Sequence, residues 1–66
     1  MTRDEYVEII TQHIIGKYAY RDRKVLIDHL VDGYTIERTA ERNNLSRSQV
    51  IRIVEKRIPQ IKKYIE

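Results

Sequence analysis

Apolar residues recur every three or four positions along this chain, and two glycines and one proline divide the pattern into segments. Thr2 and Glu5 stand at the spacing of a capping box, in which a hydroxyl and a carboxylate satisfy the first free amides of a helix. Tyr6, Ile9, Ile10, His13 and Ile14 come next at i, i+3, i+4, i+7 and i+8, one helical stripe. Gly16 can end this helix in a left-handed cap, with a continuation of the pattern to Tyr18 as the alternative. The stretch YRDRKVLIDHLVDGY predicts a second helix. Asp22 is its expected N-cap, Val25, Leu26, His29 and Leu30 share a face, and Gly33 is its stop.

Thr35 caps a third helix, IERTAERNN, with Ile36 and Ala40 inward. Ser46 and Gln49 form another capping box and open a fourth, with Val50, Ile53, Val54 and Arg57 on one side. Pro59 lacks an amide hydrogen and is expected to start a new short helix, PQIKKYIE, anchored by Ile61 and Ile65. No segment alternates, and no Asn-Gly or Asp-Gly turn occurs. The fold class expected is all-α: a small bundle of four to five helices containing a helix-turn-helix, within a single domain over residues 1–66.

Charge changes the picture from a plain bundle to one with a polyanion partner. The net charge is +3, and it is unevenly spread. Residues 1–33 carry five Lys/Arg against six Asp/Glu, whereas residues 34–66 carry eight against four. A basic half on so small a domain points to nucleic acid. With no cysteine, there is no disulfide framework and no thiolate metal site. The two histidines lack metal-ligand spacing, and His13 reads as a partly buried structural residue within its stripe. Asp28 and Asp32 lie one turn apart and read as surface charge around His29 rather than as a catalytic pair. No phosphate loop or nucleophile constellation is present, so neither an enzyme nor a cofactor is expected. Apolar runs are far too short for a membrane span, and MTRDEYVEII shows no signal-peptide pattern. A cytoplasmic protein with no membrane partner is expected.

Residues 35–57 carry the sharpest signal. A helix-turn-helix needs a small residue where its helices cross, a residue tolerant of left-handed backbone in the turn, an apolar plug and a firmly capped second helix. Ala40, Asn44, Leu45 and Ser46 meet these needs in order, and Val50 and Ile53 supply the anchors. The outward side of the second helix then presents Arg47, Ser48, Ile51 and Arg52 to the major groove. Each arginine can pair with guanine, and Ile51 can meet a thymine methyl group. Thr35, Arg38, Arg42, Lys62 and Lys63 are the expected phosphate contacts.

The stretch TIERTAERNNLSRSQVIRIVEKRIPQI, residues 35–61, resembles the helix-turn-helix of the stage III sporulation protein D family of bacterial transcription regulators. The likeness is clearest in LSRSQV followed by EKRIPQI, and it extends loosely over residues 23–34. The general motif also looks like region 4 of bacterial sigma factors and like plasmid repressors of the TrfB type. The resemblance implies a sequence-specific regulator, bacterial or phage, that binds double-stranded DNA. Carried over by position, Arg47, Ser48, Gln49, Ile51 and Arg52 face the groove, with Gln49 doubling as cap. The N-terminal helix is additional to that family, and its apolar residues on more than one side point to a tightly wrapped core or to a homodimer surface. The rival expectation is a small helical adaptor that binds transcription machinery, RNA polymerase included, without reading bases.

Overall fold

The computed structural model describes residues 1–65 and contains four α-helices: α1 (Arg3–His13), α2 (Ala19–Leu26), α3 (Ile36–Arg42) and α4 (Arg47–Ile65). A π-helical segment, Ile27–Val31, continues α2. The fold is an all-α bundle in which α4 packs against each of the other three helices.

Local capping sets three of the starts. At α1 the Glu5 amide donates to Thr2 Oγ1 (3.2 Å) and the Thr2 amide donates to Glu5 Oε1 (3.0 Å). At α3 the Arg38 amide donates to Thr35 Oγ1 (3.1 Å). At α4 the Gln49 amide donates to Ser46 Oγ (3.1 Å) and the Ser46 amide to Gln49 Oε1 (2.8 Å). Each cap satisfies amides that have no partner within their own helix.

The turn between α3 and α4 is equally local. Asn44 adopts left-handed backbone (φ 54°), as its position in the motif predicts. The Leu45 amide donates to the Ala40 carbonyl (2.9 Å) and the Asn44 amide to that of Glu41 (3.4 Å), the pair of bonds that defines a Schellman ending. Leu45 itself packs onto the cluster that contains Ala40, closing the motif with an apolar contact.

Two clusters form the interior. Ile10, Ile14, Leu26 and Ile61 join α1, α2 and the far end of α4. Val25, Ala40, Val50 and Ile53 join α2, α3 and the near end of α4. Val54 packs against both. The N-terminal stripe is absorbed by the first cluster, because Tyr6 and Ile9 also pack on it. Val7 is half-buried, and Ile15, beyond the end of α1, is exposed.

Several expected features differ. Helix α1 ends at Ile14, whose extended backbone stops it before Gly16. Helix α2 begins at Ala19, after a left-handed Tyr18, so Asp22 is not its N-cap. The Asp22 amide already bonds to the Tyr18 carbonyl (3.0 Å), and its carboxylate is buried against Arg57. Helix α3 stops at Arg42, with Asn43 as its C-cap. Asp28 is buried rather than part of a surface pair, taking Asn43 Nδ2 at 2.9 Å and Arg42 Nε at 3.3 Å. Asp32 instead accepts a two-pronged contact from Arg3, at 2.9 and 3.1 Å.

Pro59 does not start a new helix but lies within α4, which is unbroken to Ile65; Glu66 lies outside the described residues. A proline there removes the bond to the Glu55 carbonyl. Both residues are exposed, so water can satisfy that carbonyl. Continuing the helix buries Ile61 completely and packs Ile65 on the same cluster.

Arg57 fastens α4 to the start of α2. Its Nε donates to Asp22 Oδ2 (2.7 Å), Nη1 to the Ile15 carbonyl (3.2 Å) and Gln60 Oε1 (2.9 Å), and Nη2 to the Lys17 carbonyl (3.3 Å). One buried cation therefore ties α4 to α2 and to the loop before it.

Candidate nucleic-acid interface

The geometry that fixes the start of α4 also decides which side chains it exposes. With Val50 and Ile53 in the core, helical rotation leaves Arg47, Ser48 and Arg52 exposed toward the start of α4. Ser48 and Arg52 are one turn apart on the same face. Gln49 is exposed too, but its side-chain oxygen is committed to the cap. Ile51 is half-buried rather than fully outward, because it borders the seam that takes Val50 and Val54 inward. A thymine methyl would meet its edge, not a free side chain.

Three of the expected cations are held by carboxylates. Arg47 Nε donates to Glu37 Oε1 (3.0 Å), bridging the start of α4 to the first turn of α3. Arg38 pairs with Glu41 on the surface of α3. Arg42 pairs with buried Asp28 and lies over the Tyr34 ring at 4.2 Å. Asn43 Nδ2, which also donates to the Thr39 carbonyl (2.8 Å), fixes the same Asp28 oxygen. Tyr34 is set in turn by its amide on the Asp28 carbonyl (3.0 Å) and by His29 Nδ1 at 2.7 Å from its own carbonyl. A carbonyl only accepts, so His29 carries its proton on Nδ1 in that contact. Arg42 is thus a cation in a prepared seat, with both terminal amino groups unbonded among the described residues. Arg52 makes no hydrogen bond or ion pair among them.

Thr35 Oγ1 accepts the Arg38 amide, which leaves its hydroxyl hydrogen to donate outward. Lys62 and Lys63 are exposed in the last turn of α4. They are not brought beside Arg52: ten residues of helix separate Lys62 from it, about 15 Å along the axis. Lys63 lies over the Tyr64 ring (5.2 Å), and Tyr64 stacks on His13 with centroids 3.8 Å apart. His13 is half-buried in that stack.

Beside Arg42 lies an open cavity of about 490 Å³, lined by Arg3, Tyr20, Lys24 and Arg42 among others, with Asp28 and Asp32 in its wall. Among the described residues, no group of three or more His, Asp or Glu side chains is placed to hold a metal ion. No helix among them is long and apolar enough to cross a membrane.

Sequence reasoning passes over Glu37, Asp28, Tyr34 and Asn43, the groups that position Arg47 and Arg42. Glu37 lies ten residues from Arg47, Asp28 fourteen from Arg42 and fifteen from Asn43, and Tyr34 eight from the Arg42 it underlies, so no helical spacing marks them. Lys56 is different. It is exposed one turn beyond Arg52, and the i, i+4 spacing alone places it on that face. Compared with protein-family models, with curated proteins and with solved structures, the chain shows no significant match to any.

Proposed function

We propose that this chain binds duplex DNA in a sequence-specific manner and acts as a transcription regulator. The N-terminal half of α4 lies in the major groove. Arg47 and Arg52 pair with base edges, Ser48 and the end of Gln49 make shorter polar contacts, and Ile51 borders the reading surface. Thr35, Arg38 and Arg42 hold one backbone, and Lys62 and Lys63 lie toward phosphates farther along α4. The observation that carries this reading is the start of α4. The Schellman turn at Asn44 and the Ser46–Gln49 box set the helix rigidly while Arg47, Ser48 and Arg52 remain exposed. The likeness of residues 35–61 to the sporulation regulator family supports the same reading, as does the basic second half of the chain.

The test is a selection of bound duplexes from a random pool, followed by a salt series on the best site. Affinity should fall steeply and linearly on a log–log plot, because each neutralised phosphate releases counterions. Arg52→Ala should cost about 1–3 kcal/mol at the selected site and relax the preference at one base position. If no duplex binds at low salt, DNA reading is excluded. The stoichiometry in the same experiment decides the homodimer, which requires two half-sites about one helical turn apart.

A second reading is a protein-binding adaptor on the transcription machinery, RNA polymerase being the natural partner. Exposed Ile15, Tyr18 and Tyr20, around the start of α2, favour it. It requires that Arg52→Ala leave function intact while Tyr20→Ala abolishes it.

A further inference from the structure

Glu37 is an acid on the face that the proposed function gives to a polyanion. It sits in the first turn of α3, ten residues before the arginine it contacts. Both side chains are about two-thirds exposed. An ion pair this exposed contributes little to folding. A carboxylate also repels phosphate, so its presence there works against general affinity for DNA.

The atoms in contact give a reason for it. A guanidinium carries five N–H groups in a planar fork. It can approach guanine side-on, through Nε and one Nη, or end-on, through both Nη groups. Arg47 donates Nε to Glu37 at 3.0 Å, and its Nη groups make no bond among the described residues. The side-on approach is therefore occupied, and the end-on fork is left open. A long side chain otherwise loses rotamer freedom when it binds. Here the contact with Glu37 already favours one placement of the fork in the free protein. Glu37 is suited to the task because it stays ionised: its own backbone amide first, and Arg47 second, hold its carboxyl below the ordinary range. Arg52, one turn and a residue farther on, has no such brace among the described residues.

We infer that Glu37 is a specificity-determining, positioning residue: it holds Arg47 by Nε so that the two terminal amino groups meet one guanine edge as a pair. The inference rests on the DNA reading given above. It assigns Glu37 a trade: weaker attraction to all DNA in exchange for sharper choice at one base pair.

The experiment measures binding of the intact chain to its selected duplex and to the same duplex substituted at each base pair in turn. Wild type, Glu37→Ala, Glu37→Gln and Arg47→Ala are compared, with thermal melts to establish that all four fold. Both Glu37 variants should bind non-specific duplex more tightly, because a negative charge is gone. Glu37→Ala should lose about threefold to tenfold of the discrimination at a single base pair, the one Arg47→Ala also affects. Glu37→Gln keeps an oxygen that can accept the Nε hydrogen, so it should retain most of that discrimination. If Glu37→Ala and Glu37→Gln raise affinity for every sequence equally and leave discrimination intact, Glu37 is only a repulsive charge and the inference is overturned. If wild type discriminates but Arg47→Ala and Glu37→Ala affect different base pairs, the pairing is overturned while DNA reading stands. If wild type binds no duplex, both fall together.

Discussion

Arg57 is a cation placed where the packing would accept a hydrocarbon. It is tolerable there because four acceptors from three parts of the chain surround it: Asp22, Gln60 and the carbonyls of Ile15 and Lys17. Removing one partner of such a pair leaves the other charge buried, which costs more than the pair contributes. We expect Arg57→Ala to lower stability by about 3–5 kcal/mol in urea unfolding, a large fraction of what a domain this size has. Arg57→Ala combined with Asp22→Ala should be milder than the sum of the two single changes, and strict additivity would show that the two side chains do not act together. That Arg57 faces inward is legible from its phase with Val50, Ile53 and Val54. What it meets is not, because Asp22 is 35 residues distant and resembles a helix cap by its own neighbourhood. The same limit hides Glu37 and Asp28. Side chains such as Thr2, Thr35 and Ser46, whose partners are three residues away, are legible for the complementary reason.

Among the elements, α4 departs most from its sequence signals. Local rules break it at Pro59, yet burial of Ile61 and Ile65 beyond the proline outweighs the missing bond. Restoring the amide should make that compensation visible. We expect Pro59→Ala to raise stability by about 1–3 kcal/mol with no change in base preference, measured by thermal melting and by duplex selection. An unchanged melting temperature would mean that the proline costs α4 nothing where it stands. The π-helical segment is the other element that no spacing announces. Its Asp32 amide reaches back five residues to the Ile27 carbonyl (2.9 Å), adding a residue to the turn and shifting the helical phase of the residues beyond it. Asp28 and Asp32, one turn apart by simple counting, differ in burial: Asp28 is buried and Asp32 is exposed. By contrast the α3–α4 turn is legible residue by residue, since every requirement it meets is local: a small residue, a left-handed one, an apolar plug and a capped start.

For the molecule as a whole, two exposed carboxylates contribute to the response to acid. The Glu5 carboxyl lies below its ordinary range, held by the Thr2 amide and then its hydroxyl, and that of Asp32 is lowered by its hydrogen bonds from Arg3. A lowered folded pKa means the unfolded chain binds protons more readily, so this stabilisation is complete above the ordinary carboxylate range and drains as pH falls through the lowered values. We expect melting temperature to hold from neutrality down to that range and then decline. Glu5→Gln and Asp32→Asn should each slightly flatten the decline in circular-dichroism melts, and an acid slope identical to wild type in both variants would show that these groups do not contribute to it. The basic excess of the second half is legible by counting, but not how its cations are held: counting treats Arg38, Arg42, Arg47 and Arg52 alike, whereas the fold pairs three of them and leaves one without a hydrogen bond or ion pair among the described residues. The unbroken α4 carries a last consequence. Its two ends form one stiff beam of 19 residues, seated at one end on α3 and at the other on α1 through Ile61 and the Tyr64–His13 stack. A beam transmits tilt. A shift of the end bearing Arg47 would therefore pass along the same helix toward Tyr64 and His13, so the contact with α1 would report remotely how α4 is seated.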